Sequence, residues 1–202
     1  MNDTCFSARV LHGEELLLAS RSPRRAELLR LVGARFRVVD SAEEPPPGRS
    51  APEEAVVRLA RHKASGPADA NPARWVLAAD TLVFEGGELL GKPPGTAEAA
   101  AMLRRLSGTS HDVFTGLCLR RGPAEFTACE RTRVTFVELS ESDIKSYIET
   151  GEPMDKAGAY GIQGFGAAWV ERVEGCYFNV MGLPLARLAR LAREAGDALT
   201  SA

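Results

Sequence analysis

Apolar residues along this chain come in runs of two periods, and the period of each run predicts its element. Leu16-Leu17-Leu18-Ala19 is a short continuous run of the kind a strand covered on both faces requires, and Phe36 to Val39 reads as a second strand. Between them Ser22 suits an N-cap and Pro23 the first helical position. A helix is therefore predicted that buries Leu28, Leu29, Leu31 and Val32 before Gly33 ends it. The stretch from Glu43 to Gly48, with three consecutive prolines, is a loop. After it, Ser50-Ala51-Pro52-Glu53 has the form of a capping box. The helix it opens places Val56, Leu59, Ala60, Lys63 and Ala64 on one face, so Lys63 extends an apolar stripe with a charge.

Trp75 to Ala79 fits a buried strand that stops at Asp80-Thr81; Leu82-Val83-Phe84 resumes it, and Glu85-Gly86-Gly87-Glu88 is a hairpin turn whose glycines permit positive φ. Thr96 to Leu106 is helical, with Ala99, Ala100, Leu103 and Leu106 inward. His111 to Leu119 and Glu125 to Val137 are long strands about the turn Arg121-Gly122-Pro123. Ser140-x-x-Asp143 starts another capped helix, closed by Gly151. Gly158, Gly161, Gly164 and Gly166 follow within a segment, Asp155 to Gly166, that also carries Tyr160, Ile162 and Gln163. A flexible linker lacks such large apolar groups, so this is an ordered loop where backbone approaches a ligand or another backbone. Ala167 to Val173 reads as a further strand. Leu183 to Glu194 reads as a last amphipathic helix with Leu185, Leu188, Ala189 and Ala192 inward. One α/β unit with mixed strands is the economical architecture.

Composition narrows the function. The 202 residues are 45% hydrophobic and 26% charged, ordinary for a globular protein, and 25 Lys and Arg against 27 Asp and Glu give a formal charge of −2. No bulk basic field argues for long nucleic acid, so any anion must be held by a local site. Cys5, Cys118, Cys129 and Cys176 have no metal-ligand spacing and no disulfide pattern, and are expected to be reduced, mostly buried thiols. The first 13 residues lack the cationic and apolar regions of a signal peptide, and no apolar run approaches the length of a membrane span; a cytoplasmic protein is expected.

Arg24 and Arg25 fall in the first turn of the helix after Ser22, where the dipole already favours an anion and cations are locally unfavourable. Something negative bound there would resolve the conflict; taken alone, the pair reads equally as two solvated arginines on a surface helix. Asp80, at the end of a buried strand and beside Thr81, stands where open α/β sheets place ligand contacts. Taken singly, Asp80 also reads as a turn aspartate, Lys92 as a loop lysine, Lys63 as a lysine whose amine snorkels to water, Asp155-Lys156 as an exposed ion pair, and Arg131 and Arg133 as a solvated strand face. Taken together, Arg24, Arg25, Lys63, Lys92 and Lys156 with Glu43, Glu44, Asp80 and Asp155 form the mixture polyphosphate chemistry needs. Cations cradle phosphoryl charge, and carboxylates hold Mg²⁺ or orient water. G-x-x-x-x-G-K-[ST], G-x-G-x-x-G and G-x-S-x-G are all absent, and His12, His62 and His111 lie in different elements. A P-loop, a dinucleotide fold and a hydrolase triad are excluded.

Five motifs in order, Ala19-Ser20-Arg21-Ser22-Pro23-Arg24-Arg25, Ala79-Asp80-Thr81, Gly91-Lys92-Pro93, Asp155-Lys156-Ala157-Gly158-Ala159-Tyr160-Gly161-Ile162-Gln163-Gly164 and Asn179-Val180-Met181-Gly182-Leu183-Pro184, resemble the signatures of the Maf proteins. The resemblance implies an inosine-triphosphatase-like α/β fold, a central twisted mixed sheet flanked by helices with two lobes around a cleft. It implies a single domain over residues 15–198 behind an N-terminal extension of residues 1–14. It further implies a cytoplasmic homodimer that uses Mg²⁺ or Mn²⁺ to hydrolyse dTTP and UTP, or modified pyrimidine nucleotides, to monophosphate and pyrophosphate by water attack at the α-phosphorus, and an association with septum formation and cell-division arrest. Asp80 matches the proton acceptor; whether it takes the proton or holds metal stays open. Arg24, Thr81 and Gln163 match the positions that set substrate choice, Ser20, Arg25, Lys63 and Lys92 phosphate-side positions, and Glu44 a metal-side position beside Asp80.

Overall fold

A strand of four apolar residues, β1 (Leu16–Ala19), is buried along its whole length and lies parallel to β2 (Phe36–Val39), with Leu16 opposite Phe36 and Ala19 opposite Val39. The computed structural model describes residues 13–42, 45 and 50–200. Between the two strands runs α1 (Pro23–Leu31), with Ser22 at the N-cap and Pro23 at the first position as expected. It ends in a Schellman arrangement: Gly33 has φ 67°, its N–H bonds Arg30 O, and the Ala34 N–H bonds Leu29 O. Leu28 and Leu29 are buried, but Leu31 is 68% exposed, because the helix turns that position away from the sheet.

α2 (Pro52–Ala70) leads to β3 (Val76–Glu85), and β4 (Glu88–Leu90) folds back antiparallel on its end through Gly86 and Gly87, both at positive φ. α3 (Thr96–Leu106) precedes β5 (Ser110–Arg121) and β6 (Ala124–Phe136), joined by Gly122-Pro123, a two-residue connection that only antiparallel strands allow. α4 (Glu141–Glu149) carries the expected capping box between Ser140 and Asp143. Three 3₁₀ turns, Glu152–Asp155, Ala157–Ala159 and Gly164–Trp169, lead to β7 (Val170–Glu174), then α5 (Tyr177–Val180) and α6 (Leu185–Thr200). The strands form one seven-stranded mixed sheet in the order β2-β1-β3-β5-β6-β7, with β4 paired to β3. This is the mixed α/β architecture expected from the sequence.

Three local expectations are corrected. The capping box at Ser50 does not form: Ala51 occupies the cap position, one residue nearer the helix, and the Ser50 hydroxyl is buried without a hydrogen-bond partner. β3 does not stop at Asp80-Thr81 but runs on through both residues. Residues 167–169 complete a 3₁₀ turn, and the strand begins only at Val170.

The chain divides into two compact units. One contains residues up to 80, 115–130 and those from 182 onward. In it Ala60, Ala64 and Ala68 of α2 pack against Leu17, Ala19, Val76, Ala78 and Cys118. Small residues let the helix lie close to the sheet: a Cβ on Gly116 of β5 would stand 2.3 Å from the Val56 carbonyl. Burial pushes the Cys118 thiol up to about 12, so it is an inert apolar filler here.

The second unit holds residues 81–114 and 131–181. Its centre is aromatic: the Phe136 ring meets Tyr160 at 4.6 Å and His111 at 5.0 Å, both edge-on. His111 Nε2 and Tyr160 Oη are 2.8 Å apart and both side chains are buried. Asn179, fully buried, donates to Val113 O at 2.9 Å and Thr132 Oγ1 at 3.0 Å, tying α5 to the sheet. Arg131 and Arg133, read from sequence as a solvated face, converge on Asp112.

Burial lowers His111 from 6.5 to about 4, outweighing the nearby Asp112 carboxylate. Below 6.5 the unfolded chain takes up this proton while the native state resists it until about 4, so stability contributed by the neutral ring is present above 6.5 and lost as pH falls through that window. Urea denaturation at pH 7 and 4.5 should show wild type losing roughly 2 kcal/mol more than His111→Gln. Equal losses would contradict this.

Candidate active site

Where β1 ends, the chain turns into α1 and brings a hydroxyl and a guanidinium together. Ser20 and Arg25 are buried, 4% and 8% exposed. Arg25 Nη1 donates to Ser20 Oγ at 3.1 Å and Nε to Gly182 O at 2.8 Å, while the Ser22 N–H also bonds Ser20 Oγ. These contacts fix the guanidinium plane in the first helical turn, where the helix itself favours negative charge. Arg24, the next residue back, is half-buried, and Arg21 pairs at the surface with Asp40.

The neighbouring strand supplies the carboxylate. β1 and β3 are parallel with Leu18 opposite Leu77, so β1 ends while β3 continues to Asp80. Asp80 lies between the residues that β3 pairs with β1 and those, from Val83, that it pairs with β4. With β2 and β3 on opposite sides of β1, the end of β1 is also where the strand order reverses, the position at which open α/β sheets bind ligands. Lys63 reaches Asp80 from the buried face of α2 and its amine donates to Asp80 Oδ1; the two residues are 5% and 4% exposed. Lys63 therefore does not snorkel to water. Its charge is held inside the protein by a partner on another element.

In the second unit, Thr81 is half-buried, and Lys92 and Gln163 are exposed. The Gly158 N–H bonds Gly91 O at 3.0 Å, so the Gly91-Lys92-Pro93 segment is tied to the glycine-rich loop. That loop is ordered, as expected. Gly158, at φ 68°, leaves only 2.9 Å between a would-be Cβ and the Val83 side chain. Lys156 is not simply an exposed ion-pair partner of Asp155: its amine also donates to Glu152 O at 2.7 Å. The structure thus brings together Ser20 with Arg25 and Lys63 with Asp80 in one unit, and the Lys92 and Gln163 segments in the other. Glu43 and Glu44 lie outside the described residues.

To a divalent cation the described part of this site offers one carboxylate, Asp80, which also carries the Lys63 ion pair. Among the described residues no cluster of three or more His, Cys, Asp or Glu side chains exists, and Asp80 is the site's carboxylate. Mg²⁺ at phosphates is commonly held by one or two carboxylates with the remaining positions taken by phosphate oxygens and water. Asp80 is a hard oxygen donor of that type.

The family profile for Maf-like proteins matches residues 15–195. The chain belongs to the Maf family. This Maf protein is 51% identical over 184 residues to a protein of Symbiobacterium thermophilum named dTTP/UTP pyrophosphatase, covering 91% of this chain and 95% of the other. A Koribacter versatilis protein of the same name is 49% identical over 185 residues, with 91% and 96% covered. A third, from a Geobacillus strain, is 48% identical over 184 residues. The solved Staphylococcus aureus Ham1 protein superposes with a TM-score of 0.46 at 15% identity, covering 78% of this Maf chain and 80% of its own.

Two polar groups of this Maf protein have roles that their sequence neighbourhood does not mark. Asn179 stood inside a motif, and its function as a buried latch is set by partners 47 and 66 residues away. Tyr147 lay in a capped helix with nothing to mark its hydroxyl.

Removing one member of the Lys63–Asp80 pair strands a buried charge. Lys63→Met should cost about 3–5 kcal/mol of unfolding free energy. Asp80→Asn should be of similar sign, and the double variant should lose far less than the sum. Additive losses in urea denaturation would contradict a coupled buried pair.

Proposed function

We propose that this protein is a nucleoside triphosphate pyrophosphatase that converts dTTP and UTP to the monophosphate and pyrophosphate. The buried pair of Lys63 on α2 and Asp80 on β3, beside the Ser20–Arg25 pair at the end of β1, is the observation that carries the reading. The names of relatives near half identical over nine-tenths of the chain support it.

In this reading water attacks the α-phosphorus, the bond to the bridging oxygen of the β-phosphate breaks, and pyrophosphate leaves with that oxygen. Asp80 accepts the proton that water loses, or orients the water while holding a cation; the Lys63 amine holds the carboxylate in place. Arg25, fixed by Ser20 and the Gly182 carbonyl, presents rigid positive charge to the phosphoryl oxygens without reorganising during the reaction. A divalent ion, when bound, would be held by Asp80 and, as the resemblance implies, by Glu44, and would supply charge neutralisation to the triphosphate. The amide of Gln163 offers a donor and an acceptor to a pyrimidine edge. Arg24 and Thr81 belong to the same choice of substrate, and homodimer formation to the same family pattern.

The test is a panel of dTTP, UTP, CTP, 7-methyl-GTP and ITP with Mg²⁺, Mn²⁺ or chelator. dTTP and UTP should be preferred, pyrophosphate should be the co-product, chelator should abolish turnover, and Asp80→Asn should lower it by at least about 10²-fold. Release of orthophosphate, or a fully active Asp80→Asn, would contradict the reading.

A further inference from the structure

The segment that carries Gln163 is held from behind by two side chains of its own unit. Tyr147, on α4, accepts the Gly161 N–H on its hydroxyl at 3.0 Å and donates that hydroxyl to Glu152 Oε1 at 2.7 Å. The other carboxylate oxygen, Glu152 Oε2, accepts the Phe165 N–H at 3.1 Å. The two backbone bonds fall on either side of Gln163, two residues before it and two after. The Tyr147 ring is itself fixed edge-on against Trp169, with centroids 4.6 Å apart. Burial and the Glu152 carboxylate push the phenol well above its ordinary range, so it remains a proton donor throughout neutral pH.

The glycines make this close approach possible. Gly164 has φ 80°, and a Cβ there would stand 2.6 Å from Glu152 Oε2. A Cβ on Gly166 would stand 2.6 Å from Gly161 O and 3.0 Å from Tyr147 Oη. Side chains at either position would push the loop off the Tyr147–Glu152 pair. The hydrogen bonds run in one direction, amide to phenol to carboxylate, and end on a charge that accepts a second amide; such chains polarise and strengthen each other. The outcome is a backbone clamped from the interior while the Gln163 side chain is exposed.

We propose that Tyr147 and Glu152 are positioning residues that hold the Gln163 segment in place and thereby set nucleobase selectivity. The second half rests on the reading of Gln163 as the pyrimidine contact. An amide discriminates bases only if its donor and acceptor are presented at a fixed angle, so a loosened backbone costs selectivity before it costs chemistry at the phosphate.

The experiment uses the full-length chain with Tyr147→Phe, which keeps the ring against Trp169, together with Glu152→Ala and Gln163→Ala. Amide hydrogen exchange without nucleotide is the first readout. Tyr147→Phe should speed exchange at Gly161, and Glu152→Ala should speed it at Phe165, with amides of β5 unchanged. The second readout is the ratio of kcat/KM for UTP over CTP. It should fall about tenfold in both variants, through KM for UTP, while kcat at saturating UTP stays within about threefold. Unchanged exchange at Gly161 and Phe165 would overturn the clamp. Faster exchange with selectivity intact, in a protein whose Gln163→Ala variant loses selectivity, would overturn the link to nucleobase choice. If Gln163→Ala itself leaves the ratio unchanged, the pyrimidine reading falls, and the exchange data alone decide whether the pair holds the loop.

Discussion

A lysine on α2 and an aspartate on β3, each about 95% buried, hold each other inside the first unit. Neither charge is tolerable there alone. Their pairing fixes the rotation and axial position of α2 over β3, because the Lys63 amine must arrive at one carboxylate oxygen. The small residues at 60, 64 and 68, and the bare backbone at Gly116, let the helix come near enough for the lysine to reach. Well-packed apolar side chains could fill the same space at equal or greater stability, so a buried pair is weak grounds for stability and better grounds for function. Its place beside the end of β1, at the reversal of strand order, is where an α/β sheet offers open space to a ligand.

The two units solve different problems. In the first, charge is the difficulty: Arg25 in the opening turn of α1 and Asp80 in mid-strand are both held by hydrogen bonds that pre-orient them, which suits a polyanion whose charge shifts during reaction. In the second, shape is the difficulty. A glycine-rich stretch must be held still without regular secondary structure. Three 3₁₀ turns, the Lys156 amine on the Glu152 carbonyl and the Tyr147–Glu152 pair replace the missing ladder. Ala159, the one non-glycine residue at positive φ among the described residues, sits in this loop, where the buried Tyr160–His111 contact holds the adjacent residue.

Where the signal was local, the sequence could be read. The strand of β1, the Pro23 start and Gly33 stop of α1, the Gly86-Gly87 hairpin and the Ser140–Asp143 box each depend on residues within a few positions, and all appear as expected. Ser50 fails as a cap because a one-residue shift puts Ala51 in that place, and no periodicity detects such a shift. Leu31 fails because an apolar residue beside the core stripe is also compatible with the exposed side of a short helix. A charge that interrupts an apolar run marks a strand end, yet at Asp80 the amine of Lys63, 17 residues away, removes the interruption. The roles of Tyr147, Glu152 and Asn179 were hidden for the same reason, since each acts on backbone or hydroxyl groups that only the fold brings near.

In the proposed reaction the C-terminal end of β1 and the middle of β3 grip the triphosphate. A crystal structure of the full chain with Mg²⁺ and the non-hydrolysable α,β-imido analogue of UTP tests it most directly. Phosphate oxygens should lie within hydrogen-bonding distance of Arg25 and Ser20, with the α-phosphate next to Asp80. A triphosphate bound away from these side chains would contradict it.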